Sequence, residues 1–278
     1  MSTVIVAGGF EDMSSRTIRF LDEASLVGPV HMLLYSDESL KARGGETPKF
    51  PQQERLYFFE AVRYVDRVSI CSGPSDENAL PEEYATPAAT WVVDQAADSP
   101  RKRSFCQTAS MDCRVIEEEG LRKFPEAAAE IAAGIAAPTA PTRKKVIVTG
   151  CYDWFHTGHV RFFEEVSKLG DLYVVVGHDA NIELLKGPGH PMFPQAERRY
   201  MAGSIRHVRM ALISSGNGWL DAEPEIEWVK PHIYAVNEDG DQPEKREYCE
   251  AHGIEYRILK RTPKQGLPKR QSTDLRGF

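Results

Sequence analysis

The sequence predicts an α/β protein built from two tandem Rossmann-like domains, each a doubly wound parallel sheet. Three observations lead there. The chain is written twice; short β-branched runs alternate with helical patterns in each copy; and the first run of each copy stops at a glycine, where a ligand loop would begin.

The repeat is direct. VIVAGGFEDMSSRTIRFLDEASLVGPVHMLLYSD, from Val4, lies over VIVTGCYDWFHTGHVRFFEEVSKLGDLYVVVGHD, from Val146, without a gap. Val4/Val146, Gly8/Gly150, Arg19/Arg161, Phe20/Phe162, Gly28/Gly170 and Asp37/Asp179 are identical pairs. One gap later FPQQERLYFFEAVRYV (from Phe50) meets FPQAERRYMAGSIRHV (from Phe193), and DSPRKRSFC (from Asp98) meets DQPEKREYC (from Asp241). The domains expected are therefore 1–120 and 143–278. The stretch 121–142 between them reads as an Ala-rich helix and a Pro/Thr linker, packed on the first copy or acting as a solvated tether.

Within the second copy KKVIVTG reads as a buried strand ending at Gly150. His159 to Leu169 reads as a helix, because Val160, Phe163 and Val166 recur at helical spacing, with Gly170 as its C-cap. DLYVVVG is a second strand, Ala196 to His207 a second helix, and PHIYAVN a further strand. In such sheets ligands bind beyond the carboxyl ends of the strands, so chemistry is expected just after Gly150.

Composition narrows the function classes. The chain is 41% hydrophobic and 27% charged, ordinary for a globular protein. No 18-residue apolar run suggests a membrane span, and MSTVIVAGGF lacks the pattern of a signal peptide. The net charge of −7 argues against non-specific nucleic-acid binding. Cys71, Cys106, Cys113, Cys151 and Cys249 form no C-x-x-C pair, so neither zinc nor a disulfide framework is expected. The expected setting is the cytoplasm, with reduced thiols.

The segment after Gly150 is Cys-Tyr-Asp-Trp-Phe-His156-Thr-Gly158-His159. The chain leaves a strand, turns and enters a helix. A helix N-terminus offers free N–H groups and partial positive charge to a phosphate. Gly158 removes a side chain where the backbone would meet an anion. His156 and His159, three apart, sit on one side of the first turn, where imidazole N–H groups can stabilise charge building on an α-phosphate. A lone histidine there would read as a cap or core residue; the combined pattern reads as a site.

This pattern resembles the cytidylyltransferase superfamily, whose signature is H-x-G-H after a strand ending G-x-F-D. It is similar in particular to ethanolamine-phosphate cytidylyltransferases, which are themselves tandem duplications. GCYDWFHTGHV, LLKGPGHPMFPQAER and KRT…STDL stand in that family's order. Heptose-phosphate adenylyltransferases share much of it. The resemblance implies catalytic roles for His156, His159 and Lys186, the last in the loop after the second strand. It implies nucleotide contacts from Gly150, Tyr152 (in place of the family Phe), Asp153, Gly158, Asn237, Asp239, Arg261, Thr262, Ser272 and Thr273. Ser272 and Thr273 can also cap a helix. Lys186 is otherwise a solvated loop lysine.

Acceptor contacts are assigned to Trp154 and Arg198. A tryptophan face beside Asp153 suits an ammonium, although Trp154 and Trp219 also read as packing residues. Arg198 alternatively pairs with Glu197 or another subunit. Gln271 replaces the first Ser of the family triplet, and the longer loop adds Lys264, Lys269 and Arg270.

In the first copy Ser14, Arg16 and Thr17 replace His156, Gly158 and His159, so that copy reads as catalytically dead. Its long Arg16 side chain is expected to enter the phosphate position. The implied reaction is transfer of CMP from CTP to a phosphorylated small alcohol, phosphoethanolamine-like, releasing pyrophosphate. Mg²⁺ would ride on the triphosphate, with no protein metal site. Two alternatives stay open: an adenylyltransferase using ATP and a sugar phosphate, and a nucleotide-binding pseudoenzyme or scaffold. The two copies would form a pseudo-dimer, possibly within a homodimer.

Overall fold

The structure, a computed structural model, describes residues 2–44, 47–125 and 143–275. The chain divides into two compact units, Met1–Lys123 and Phe124–Phe278. The Ala-rich helix and linker expected over 121–142 fall mostly outside the described residues.

The first unit runs β1 (Thr3–Gly8), α1 (Ser15–Ser25), β2 (Val30–Tyr35), α2 (Asp37–Ala42), α3 (Gln52–Glu60), β3 (Arg67–Cys71), β4 (Ala89–Asp94), α4 (Pro100–Thr108), β5 (Asp112–Ile116) and α5 (Glu118–Leu121). The second runs β6 (Lys145–Gly150), α6 (Thr157–Val166), β7 (Asp171–Val176), α7 (Asp179–Lys186), α8 (Gln195–Gly203), β8 (Val208–Ile213), α9 (Glu223–Val229), β9 (Ile233–Asn237), α10 (Pro243–Ala251) and β10 (Glu255–Leu259). Each unit holds a five-stranded sheet, ordered β3-β2-β1-β4-β5 and β8-β7-β6-β9-β10, and every pairing is parallel. Strand order reverses between β1 and β4, and between β6 and β9. Those are the switch points at which doubly wound sheets open a crevice.

Strand composition follows burial. Val146, Ile147 and Val148 of β6 and Val174, Val175 and Val176 of β7 are buried, as strands covered on both faces require. On one face Ile147, Tyr173, Val175, Tyr234 and Val236 pack with Ile226 and Val229 of α9 and Tyr248 of α10. Val160, Phe163 and Val166 of α6 are buried as their spacing predicts. Each such side chain contributes about 1.5–3 kcal/mol by leaving water.

Gly170 is not the C-cap expected of it. The helix cap is Ser167. A Cβ on Gly170 would lie 2.0 Å from the Lys144 carbonyl oxygen, so the glycine permits close approach of the two backbones. Gly28 repeats the arrangement against Ser2 O, at 2.6 Å.

The duplication extends to side-chain geometry. Arg198, almost wholly buried, donates to the carbonyls of Phe193 (2.8 Å), Cys151 (2.6 Å) and Gly177 (2.8 Å) and to Asp179 Oδ1 (2.7 Å). Arg55 in the first unit donates to the carbonyls of Phe50 (2.9 Å), Gly9 and Tyr35 (3.1 Å) and to Asp37 Oδ1 (2.6 Å). In both units one guanidinium ties the turn after the first strand to the end of the second. Planar donors in a fixed fork suit that task.

Candidate active site

In the second unit the crevice between β6 and β9 is framed by the turn after Gly150, the start of α6, the end of α7 and the segment after β10. A cavity of about 360 Å³ there is lined by Tyr152, His159, Lys186, Asn237, Asp239 and Arg261, among others.

The turn sets the geometry. Tyr152 takes φ +54°, left-handed backbone that a bulky residue rarely adopts. Its ring folds back over the end of β6, where a Cβ on Gly150 would lie 2.8 Å from it. The ring meets His159 and Phe163 edge-on, each at 5.3 Å between centroids.

His156 is the N-cap of α6 and is fully buried. Its Nδ1 accepts the Gly158 N–H at 3.0 Å, and His159 Nδ1 accepts the His156 N–H at 3.3 Å. Both rings therefore carry their proton on Nε2 when neutral. They stack at 4.0 Å. His156 Nε2 has no hydrogen-bond partner among the described residues. Burial, then the charges of Arg261 and Arg270, lowers the His156 pKa to about 3. Burial, then His156, Arg261 and Lys186, holds His159 well below its ordinary value. The pair thus consists of neutral N–H donors at a helix N-terminus, an arrangement fit to receive anionic oxygen.

Gly158 has a specific task. A Cβ there would lie 2.7 Å from His156 Cε1 and 2.9 Å from its Nδ1. Only glycine lets the imidazole fold back onto the helix.

Arg261 bonds Asp239 and donates to Arg270 O at 3.2 Å, joining the turn after β9 to the segment after β10. Lys264 reaches Glu164 at 2.9 Å, and Ser272 Oγ reaches Trp154 O at 3.4 Å. Thr262, Lys260, Lys269 and Arg270 line an adjoining recess beside Gly158. Ser272 and Thr273 begin a 3-10 turn, Ser272–Leu275; the Thr273 side chain lies outside the described residues.

Several expectations change in detail. Lys186 is the last residue of α7, not a loop residue, yet its exposed ammonium stands at the cavity. Asp153 lines the cavity, but its carboxylate accepts the N–H groups of Met192 (2.9 Å) and Phe193 (3.0 Å), and His190 Nδ1 lies 3.9 Å away. It ties the turn after β6 to the segment that precedes α8. Trp154 packs edge-on against Phe193 at 4.9 Å, and its indole N–H has no partner among the described residues. Trp219 is 46% exposed and does not line this cavity. The assignment of Arg198 to an acceptor is corrected: the clamp consumes its guanidinium. It does not pair with Glu197 there.

The sequence reading passed over Lys245, which touches Thr149 and Gly240 of the cavity lining without lining the cavity itself. This residue of α10 is only 7% exposed, and its Nζ lies 3.4 Å from both Thr149 Oγ1 and Gly240 O. Burial lowers its pKa. Thr149 Oγ1 and Tyr234 Oη are hydrogen-bonded at 2.7 Å. The signal was present in the repeat, where KRSFC and KREYC align Lys102 with Lys245. Among the described residues no group of three or more His, Cys, Asp or Glu is placed to hold a metal ion. The Mg²⁺ implied by the resemblance would be held by triphosphate oxygens and water.

The first unit's equivalent turn keeps its shape, with Phe10 at φ +48°. Ser14 caps α1 by accepting the Thr17 N–H at 3.3 Å. Arg16 lines the cavity of this unit, where it is held by Asp94 (2.8 Å) and Glu118 (2.6 Å).

Residues 147–237 match a family model described as cytidylyltransferase-like. The FAD synthase of Ferroglobus placidus is 34% identical over 120 residues, 42% of this chain and 75% of that protein. The FAD synthase of Aciduliprofundum boonei is 34% identical over 136 residues, 48% of this chain and 84% of that protein. The bifunctional protein HldE of Nitratiruptor sp. is 38% identical over 98 residues, 34% of this chain and 21% of that protein. With the paired histidines, the glycine between them and these likenesses together, the chain belongs to the cytidylyltransferase-like family of nucleotidyltransferases.

Proposed function

We infer that the second unit transfers a nucleoside monophosphate from a nucleoside triphosphate to the phosphate of a small acceptor. The observation that carries this reading is the His156–His159 pair. Two neutral imidazoles are fixed in one tautomer at a helix N-terminus, His159 lining the cavity and His156 stacked behind it with its Nε2 unpartnered among the described residues. An acceptor phosphate oxygen attacks the α-phosphorus, the bond to the bridging oxygen breaks, and pyrophosphate leaves with the electron pair. The chain's part is to position and to neutralise charge. The histidines meet the oxygens that gain charge, Arg261 and Lys186 balance the polyphosphate, and Gly158 admits it. Mg²⁺, when bound, supplies further neutralisation of the β- and γ-phosphates.

The motif order points to CTP and a phospho-alcohol of the phosphoethanolamine kind, a step suited to phospholipid headgroup synthesis. Trp154 supports this reading, because an aromatic face beside Lys186 and Asp153 suits a small phosphorylated amine. A second reading has its own observation. Two relatives matched over 75% and 84% of their length are named for FAD, flavin adenine dinucleotide, a product with an adenylyl half. This favours ATP as donor, with the same catalytic residues.

Pyrophosphate release with Mg²⁺ tests both. CTP and ATP are each offered with phosphoethanolamine, glycerol 3-phosphate, FMN and sugar phosphates, and His156→Ala is the control. Turnover with one pair, lost in the variant, identifies donor and acceptor. Absence of turnover with every pair, while triphosphate still binds, rejects the enzyme reading in favour of a nucleotide-binding scaffold.

A further inference from the structure

The longer loop before Ser272 brings Lys264, Lys269 and Arg270 to the second unit. This loop is docked on α6. Lys264 Nζ donates to Glu164 Oε1 at 2.9 Å, and the Leu267 N–H donates to Lys264 O at 2.9 Å, closing a turn in which Gly266 takes φ +82°. Further along, Arg270 O accepts the Arg261 guanidinium at 3.2 Å and would lie 3.6 Å from a Cβ on Gly158. The loop is thus fastened to α6 at Glu164 and again beside its first turn.

The recess between loop and helix is cationic in a chain whose net charge is −7. Six cations line it against one carboxylate, Glu165. Their ties differ. Arg161 is held by Glu164 and Glu165, Lys264 by Glu164, and Arg261 by Asp239. Lys260 and Lys269 are exposed and have no carboxylate partner among the described residues. The Arg270 charge reaches His156, whose pKa falls through burial first and then through Arg261 and Arg270. Cations left unneutralised around one recess draw an anion to it.

Position identifies the anion. The recess and the catalytic cavity share Gly158, Phe162, Asn237 and Arg261, so they meet beside the start of α6. Asp153 and Trp154 line the cavity alone. An in-line displacement sends the leaving group away from the attacking oxygen. With the α-phosphate at His159 and the acceptor beside Trp154, the β- and γ-phosphates run past Gly158 and Arg261 toward the recess. The first unit offers a contrast. Strand register pairs Asp94 with Ile116 and Asn237 with Leu259, so Glu117 and Glu118 stand where Lys260 and Arg261 stand in the second unit. The unit without the two histidines lacks both of these cations.

We propose that Lys260, Lys269 and Arg270 form a subsite for the terminal phosphate of the donor and hold pyrophosphate after transfer. This assignment rests on nucleotidyl transfer at the His156–His159 pair. The loop then distinguishes a triphosphate from a diphosphate, because only the longer chain reaches its cations.

The test is calorimetry on the full chain with inorganic pyrophosphate and Mg²⁺ as the probe, and with CMP and AMP titrated separately. The parent should bind pyrophosphate. Lys260→Ala and Lys269→Ala should each weaken that binding by about tenfold, the order of one charge-assisted hydrogen bond at an exposed place. Lys269→Arg should restore most of it, since the charge returns. Lys168→Ala removes a lysine beyond the other end of α6 and should change nothing, which controls for net charge. Affinity for the monophosphates should match the parent in every variant, and thermal unfolding should show each to be folded. The subsite is overturned if the parent does not bind pyrophosphate, if both lysine variants bind it as the parent does, or if Lys168→Ala weakens it equally. Pyrophosphate release with the donor and acceptor pairs reports on the reaction separately. Turnover by a parent whose pyrophosphate affinity ignores Lys260 and Lys269 removes the subsite and leaves the reaction standing; lysine-dependent binding without turnover keeps the subsite and removes the reaction.

Discussion

Gly158→Ala is the substitution that most directly separates a catalytic cradle from a histidine helix cap. The added methyl would sit 2.7 Å from His156 Cε1 and 2.9 Å from Nδ1. Contacts of 3.4 Å and beyond are ordinary, so the ring must retreat by about 0.7 Å, the difference between 3.4 and 2.7 Å. That movement stretches the 3.0 Å bond from Gly158 N–H and carries Nε2 away from the place it holds for an oxygen. A displacement near 1 Å costs about 10²-fold in rate. Losing one preorganised donor costs about 10²–10³-fold. The expected fall in kcat is therefore about 10²-fold, or about 2.7 kcal/mol of transition-state stabilisation. The helix itself should not suffer, because alanine is favoured over glycine in a helix by up to ~1 kcal/mol. Pyrophosphate release at saturating substrates, alongside thermal unfolding, reads both quantities. Wild-type kcat in Gly158→Ala with an unchanged or higher melting temperature would refute the reasoning, since the imidazole position would then not matter to the chemistry.

Three further outcomes follow from the geometry. Arg198→Met should destabilise the chain by about 3–5 kcal/mol, because it strips the buried Gly177 carbonyl and the part-buried carbonyls of Phe193 and Cys151 of their donor; Arg55→Met should do the same, and a loss under about 1 kcal/mol in denaturant titrations of both would show the clamp to be dispensable. Acid stability should report the buried histidines: the His156 pKa is about 3 folded against about 6.5 unfolded, so the unfolded chain binds more protons between those values. Stability is then full above about pH 6.5 and falls as pH drops toward 3, with a slope of up to ~1.4 kcal/mol per pH unit for each histidine. His156→Asn should flatten that slope in urea midpoints measured from pH 7 to 4; an unchanged slope would contradict the assignment. Lys245→Met removes a buried ammonium whose hydrogen bonds are long, so the melting temperature should hold or rise in thermal unfolding. A marked fall in the melting temperature would show that those bonds hold the fold.

The fold was legible because its signals are local. Runs such as VIVTG and YVVVG are buried on both faces, and the repeat registers one copy on the other. The His156-Thr157-Gly158-His159 segment was legible for the same reason, since cap, cradle and glycine lie within one helical turn. What stayed hidden depends on contacts far apart in sequence. Asp153 meets the amides of Met192 and Phe193 across two helices' worth of chain. Arg198 was read as a ligand contact because a sequence does not say which way a guanidinium turns. Strand β10, Glu255–Leu259, alternates polar and apolar residues at a sheet edge and carries no buried run. Nothing in the local sequence marks Lys245 as buried, since burial of a lysine is a tertiary event.

The two units together show how the chemistry was separable from the scaffold. The groups that hold the crevice open are backbone carbonyls gathered by Arg55 or Arg198, and a turn that adopts left-handed backbone at Phe10 or Tyr152. None of them touches the positions where His156, Gly158 and Arg261 act. Replacing those three by Ser14, Arg16 and Glu118 therefore leaves the strand ends in place, and the new arginine is satisfied by the new acids rather than stranded. Had Arg16 appeared without Asp94 and Glu118, an uncompensated cation would stand at a helix N-terminus, where positive charge is disfavoured. The acids make the substitution tolerable.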